Sequence, residues 1–172
     1  MKKLLIASVL ACFLSLTLVL FATAEMAKEG TSSSKSTWIT HYTLLSMAQE
    51  RVQVNYEGYG IDLSEAEGDP LRHATAHVVG SAHSIKGRYE NDSGLVCYTR
   101  PDGDQIFMTY KASGTAGKTG KGTYTFVGGT GKFVGIQGGG EFTRYYLPSP
   151  AKGVGATVNI AEGNWKIVEP SK

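Results

Sequence analysis

The residues with the most chemical potential are the histidines, a short glycine-lysine-threonine run, one cysteine and a pair of aspartates. His73 and His77 are four apart. On a helix they would share a face, as a pair of metal ligands requires. On a strand they also share a face, but four residues span ~13 Å at ~3.3 Å each, too far to chelate one ion. Asp69-Pro70 reads as an N-cap and first helical position with Gly80 as a stop. Thr75, Val78, Val79 and the β-rich surroundings read as strand, and context favours the strand. His83 lies beyond Gly80, and no carboxylate or cysteine completes a ligand set, so no metal is expected.

Gly117-Lys118-Thr119 would end a phosphate-binding loop, but the position that must be glycine is Ala112, and a strand follows where a helix is needed. Gly129 and Gly131 open a dinucleotide fingerprint that fails at Val134. Cys97 sits in the strand-like run Gly94–Thr99 and reads as a buried small apolar residue. Asp102 and Asp104 belong to a turn, with no further calcium-loop pattern around them. No nucleophile–base pair stands at usable spacing, and no cofactor is expected.

What the chain does offer is aromatic lining. Leu95–Arg100 and Gln105–Lys111 flank Pro101-Asp102-Gly103-Asp104, a strong hairpin signal. Alternation puts Tyr98 on one face with Val96 and Arg100, and puts Met108 and Tyr110 on one face with Ile106. Tyr98, Tyr110 and Met108 are therefore the candidate ligand-binding residues: each tyrosine presents an apolar ring and one hydroxyl, though core packing explains the same residues equally well.

Gly122–Tyr146 reads as two strands about a glycine turn, Gly128-Gly129-Thr130-Gly131, with the second strand restarting at Lys132-Phe133-Val134. Gly138-Gly139-Gly140 marks a bend of the kind that lets a sheet curl. Strands are also expected at 37–43, 52–57, 85–89, 157–160 and 164–168, with loops at 58–69, 90–94 and 147–155 and a flexible loop at 113–122. Residues 44–51 read as strand or short helix. Eight to ten short strands without a long helix predict an all-β, antiparallel barrel or sandwich of about eight strands.

The ends are set apart by composition. Lys2-Lys3, an apolar run from Leu4 to Phe21, and Ala22-Thr23-Ala24 form a secretory signal over residues 1–24. The rival reading is an uncleaved anchor, since ~20 apolar residues span a bilayer. Residues 25–36 are small and polar and read as a flexible tether, leaving 37–172 as one domain. The chain has 17 Lys+Arg and 15 Asp+Glu; losing Lys2 and Lys3 with the signal makes these equal. Even charge gives no electrostatic case for nucleic acid or for strong membrane interaction after cleavage. Cys12 also leaves, so no intramolecular disulfide remains.

The run Gly128-Gly129-Thr130-Gly131-Lys132-Phe133-Val134-Gly135-Ile136-Gln137-Gly138 resembles a hairpin of dirigent proteins and allene oxide cyclases. The whole mature chain is similar to a group of uncharacterised exported bacterial proteins near that fold. The resemblance implies an eight-stranded, calycin-like antiparallel barrel with a cavity for hydrophobic small molecules. It carries over no catalytic residue.

Three functions are then open: an exported barrel binding a small hydrophobic molecule; a cofactor-independent cyclase or isomerase of the allene oxide cyclase kind; and a structural protein of the cell envelope. The expected location is periplasmic or extracellular. The export reading predicts that the mature protein begins at Glu25. Intact mass of the exported fraction checks this, and a chain still carrying residues 1–24 supports the anchor instead.

Overall fold

Alternation dominates the backbone. In the strand Gln105–Thr115, Ile106, Met108, Tyr110 and Ala112 are buried while Thr109 and Lys111 are exposed. Such a strand has one wet face and one packed face. The computed structural model describes residues 27–169, so the signal expected at 1–24 lies outside the described residues. Eight strands follow in order: β1 Glu29–Ala48, β2 Arg51–Asp62, β3 Thr75–Ile85, β4 Arg88–Thr99, β5 Gln105–Thr115, β6 Thr119–Gly129, β7 Ile136–Leu147 and β8 Val154–Ile167. Each pairs antiparallel with the next, and β1 pairs with β8, which closes the barrel and removes sheet edges.

Following paired residues once round gives the stagger. Tyr42 pairs with Tyr56, then come Gly80, Gly94, Tyr110, Tyr124, Gly140, Gly163 and finally Ser32. The path returns to β1 ten residues from where it left (42 less 32). Stagger and strand number together set the width of a barrel.

Residues 29–36 correct the tether expectation. They form the first part of β1, paired with β8 from Glu29↔Lys166 onward. Ser32, Ser34 and Ser36 point inward and are buried. A serine-rich segment resembles a linker in composition, but here each hydroxyl has a buried partner. Ser32 donates to Asp69 Oδ2 at 3.2 Å, Ser34 donates to Asp62, and Ser36 accepts from Trp38 Nε1 at 2.9 Å. Small polar side chains fill the base where larger ones would not fit.

Three other expectations are refined. Residues 44–48 continue β1 as strand. Residues 113–122 are not a loop but the ends of β5 and β6 about a turn at 116–118. Gly131–Phe133 is a short 3-10 turn, and β7 begins only at Ile136. Phe133 is pulled out of strand register because its ring is buried in the base of the barrel, with the Arg100 guanidinium 5.3 Å from its centroid.

The base is shut by two segments, 63–74 and 130–135. Asp69 organises the first: it accepts from Ser33 N at 2.9 Å and Leu71 N at 2.8 Å, which fixes Leu71 as a buried plug. Arg100 Nη1 donates to the Pro70 carbonyl at 2.6 Å. His73 lies in this turn at φ 56, and β3 starts at Thr75, so the strand reading of 70–79 is right from Thr75 onward and wrong for 70–74, which Asp69 holds as a turn. His77 faces outward, stacked on Tyr59 at 5.0 Å and bonded to Glu57 at 2.7 Å. No cluster of three metal-ligating side chains occurs among the described residues.

Gly131 has φ 52, and a Cβ there would run into the Asp104 carboxylate. Gly131→Ala therefore lowers stability by about 1–3 kcal/mol in chemical denaturation, whereas Gly103→Ala, at φ 89 with open space, loses only the conformational part. Asp62 is 1% exposed, and burial pushes its carboxyl up to about 6 against the bonds from Ser34 and Ser64 N, with Asp69 adding to the rise and His73 opposing it. A raised folded-state value means that stability is lost as pH climbs from about 4 through 6. Asp62→Asn removes that slope, so the variant gains on the parent by about 2 kcal/mol between pH 4 and 7. Parallel denaturation curves across that range measure the gap; a gap independent of pH contradicts the assignment.

Candidate functional site

A cavity of about 1030 Å³ runs from the plugged base to the opposite rim. Its lower wall is apolar, with Trp38, Leu71, Val78, Val96 and Met108 facing inward. Tyr98 stands edge-on to Trp38, ring centroids 6.2 Å apart. The structure thus brings Tyr98, Tyr110 and Met108 to one cavity wall, all buried. Arg100, on the same alternation as Tyr98, belongs instead to the base, where it holds residues 69–70.

Higher up, four strands contribute one polar cluster. Tyr56 from β2 and Arg144 from β7 converge on Asp92 from β4, and Tyr110 from β5 completes the group. Arg144 Nη1 donates to Asp92 Oδ2 at 2.6 Å, and the Tyr56 hydroxyl donates to Asp92 Oδ1. The Tyr56 proton is therefore committed to Asp92, and the Tyr56 oxygen accepts from the Tyr110 hydroxyl. The guanidinium also lies over two rings, 5.8 Å from Tyr110 and 5.6 Å from Phe142. Beside the cluster, Tyr146 donates to the Tyr89 hydroxyl at 2.8 Å.

Local backbone features make this possible. The register of β4 shifts between Tyr89 and Asp92, so Glu90 and Asn91 are passed over and both Tyr89 and Asp92 turn inward. Asn91 supports the shift by accepting from His83 N at 3.0 Å. The hydroxyls of Tyr56 and Tyr110 meet above the paired glycines Gly80 and Gly94. A Cβ on Gly80 would lie 2.6 Å from both oxygens, and one on Gly94 would lie 2.8 Å from that of Tyr110.

The electrostatics are those of a closed, internally neutral group. Burial opposes the Arg144 charge, but Asp92, with Tyr146 and Tyr56, outweighs it and holds the guanidinium above its ordinary value. Burial first, then Tyr110 and Asp92, push the Tyr56 hydroxyl far up. Burial and then Asp92 push Tyr110 up to about 12. Burial also raises Tyr89 and Tyr98. At neutral pH every one of these hydroxyls keeps its proton. The cluster can donate hydrogen bonds and stabilise negative charge on a bound atom, while its carboxylate is already engaged twice.

The sequence signal for this cluster is faint. Asp92 lies in Glu90-Asn91-Asp92-Ser93-Gly94, which has the composition of a turn, and the register shift that aims it inward leaves no pattern in the alternation. Arg144 reads as an ordinary exposed strand cation. The usable clue was an arginine and an aspartate on strands otherwise rich in inward-facing tyrosine.

No family model matches the sequence, and no curated protein matches it. Among solved structures, the pterocarpan synthase dirigent protein matches with a TM-score of 0.31 and 12% sequence identity, over 86% of this chain and 92% of that one. The closed barrel described above stands on its own strand pairing.

Proposed function

We propose that this chain is an exported barrel that binds one small hydrophobic molecule bearing a single polar, hydrogen-bond-accepting group. The cavity carries the reading: about 1030 Å³ of space lies inside the strands, which a purely structural barrel would fill with side chains. It is at the upper end of the usual range for ligand pockets, and its mostly apolar wall with a few convergent polar groups has the general character of such sites. The ligand skeleton lies against Trp38, Val78, Val96, Tyr98 and Met108. Its polar group faces Arg144, which has N–H groups beyond the one given to Asp92, and the Tyr89 hydroxyl, which accepts from Tyr146 and keeps its own proton free.

A cyclase or isomerase is the second reading, favoured by the same cluster. Arg144, held by Asp92, and the nearby Tyr89 hydroxyl are hydrogen-bond donors in a water-poor cavity, suited to polarising a carbonyl or an epoxide oxygen. It needs no cofactor. The binding reading is preferred because no side chain in the cluster is free to take up a proton at neutral pH.

Thermal shift with matched sets of long-chain alkanes, alcohols and ketones tests the proposal. The alcohols and ketones raise the melting temperature by mass action, by about 2.7 kcal/mol of added stability at a hundredfold excess over Kd. Tyr98→Ala weakens binding of all ligands. Tyr89→Phe keeps the ring, removes a hydroxyl whose proton Tyr146 does not use, and weakens only the oxygen-bearing ones, by about tenfold for one lost hydrogen bond. Absence of any shift across the set overturns the binding reading, and conversion of a bound epoxide or ketone by the parent but not by Tyr89→Phe moves the assignment to the enzyme.

A further inference from the structure

We infer that the open end of the barrel docks on an anionic lipid surface, with the β1–β2 hairpin tip inserted among the lipids. The inference rests on the rim, not on the contents of the cavity. β1 is paired with β8 only as far as His41↔Val154, with one further bond from Tyr42 N to Gly153 O at 2.9 Å. Beyond that point β1 has β2 alone as a neighbour, while β2 stays paired with β3 up to Arg51↔Ile85, so the last part of β1 forms an open edge at the rim. Leu44, Leu45 and Met47 in this stretch are 60%, 63% and 60% exposed. Leu44 and Leu45 are consecutive, so both faces of the strand carry a large apolar side chain into water. A hairpin that packed on its own barrel would hide one of them. Ile85 and Leu147, also at the rim, extend the apolar surface.

Charge supplies the second observation. The strand ends and turns around the mouth carry six exposed cations, Arg51, Lys86, Arg88, Lys118, Lys121 and Lys152, against two exposed acids, Glu50 and Glu90. Lys86 pairs with Glu50 at 3.4 Å and Arg88 with Glu90 at 3.5 Å. Arg51, Lys118, Lys121 and Lys152 make no salt bridge among the described residues. Asp92 and Arg144 neutralise each other inside the barrel. The loops of the base carry Glu65, Glu67, Asp69, Asp102 and Asp104 against Arg72, Arg100 and Lys132. Even total charge thus hides a cationic mouth, and it is the local distribution that a membrane surface reads. Apolar side chains flanked by unpaired lysine and arginine are the combination that holds a peripheral protein at a lipid interface. Docked this way, the cavity mouth faces the bilayer, where hydrophobic molecules are dissolved.

Leu45→Trp tests insertion in the full chain. Position 45 is exposed, so the variant keeps the parent fold, and Trp38 and Trp165 are buried and contribute a constant background. On phosphatidylglycerol vesicles with brominated acyl chains, the added tryptophan should shift to shorter wavelength and be quenched. Quenching should fall with added salt and on phosphatidylcholine vesicles. Lys118→Ala with Lys152→Ala in the same background should lower partitioning roughly tenfold or more. Because the tryptophan reports the tip itself, an N-terminal segment left on the chain does not produce the signal. No quenching at Leu45→Trp or at Met47→Trp overturns the inference, and so does equal quenching on both lipids. A blue shift that rises with protein concentration without vesicles also overturns it, and assigns the tip to a second copy of the chain.

Discussion

Interior space in this barrel is created by pairing aromatic rings with glycines on neighbouring strands. One paired row shows the rule: Tyr56, Gly80, Gly94 and Tyr110 lie side by side on β2, β3, β4 and β5. The two tyrosines lean over the two glycines from opposite sides, and their hydroxyls meet above the backbone. Trp38 does the same over Gly60, where a Cβ would stand 2.6 Å from the indole. Glycine in a strand costs backbone entropy and contributes no side chain. Here the loss is offset by large rings that pack flat against the wall, so the centre stays open. Replace the glycines by alanine and the rings must swing inward, filling the cavity or breaking the polar cluster.

The same constraint explains where the charges sit. A buried carboxylate and guanidinium are tolerable only as a well-bonded pair. Asp92 and Arg144 meet that condition because Tyr56 takes the remaining carboxylate valence and two rings flank the cation. Those rings are placed by the glycine rows. At the base the solution differs: Asp62 and Asp69 have serine hydroxyls and backbone N–H groups as partners in place of a cation. One end is therefore rigid and sealed, and the other holds a charge pair beneath an open mouth.

Much of the fold was legible in residues. Alternation around Pro101-Asp102-Gly103-Asp104 gave the β4–β5 hairpin and the faces that Tyr98 shares with Val96 and that Met108 shares with Tyr110, because side-chain period in a strand depends on the backbone alone; which face lines the interior was not legible. The first half of β1 was not legible. Serines that fill a narrow barrel base have the composition of a linker, and only their partners, Asp62 and Asp69, tens of residues away, tell the two apart. Asp92 was hidden by a register shift, and Phe133 by a turn that takes its alternation out of strand phase. Cavity volume was out of reach altogether, since it depends on which ring faces which glycine across the sheet.

That dependence also bears on how function is distributed in the molecule. The wall glycines, the tyrosine hydroxyls and the Asp92–Arg144 pair come from strands β2, β3, β4, β5 and β7, so none forms a local motif. Their geometry is fixed by closure: because β1 pairs with β8 along most of its length, a slip of one strand would have to be carried round all eight. A one-residue slip also turns every inward side chain outward. The site is therefore as well positioned as the barrel is closed. The end of β1 beyond His41↔Val154, with β2 as its one paired neighbour in place of two, is the part of the barrel released from that constraint.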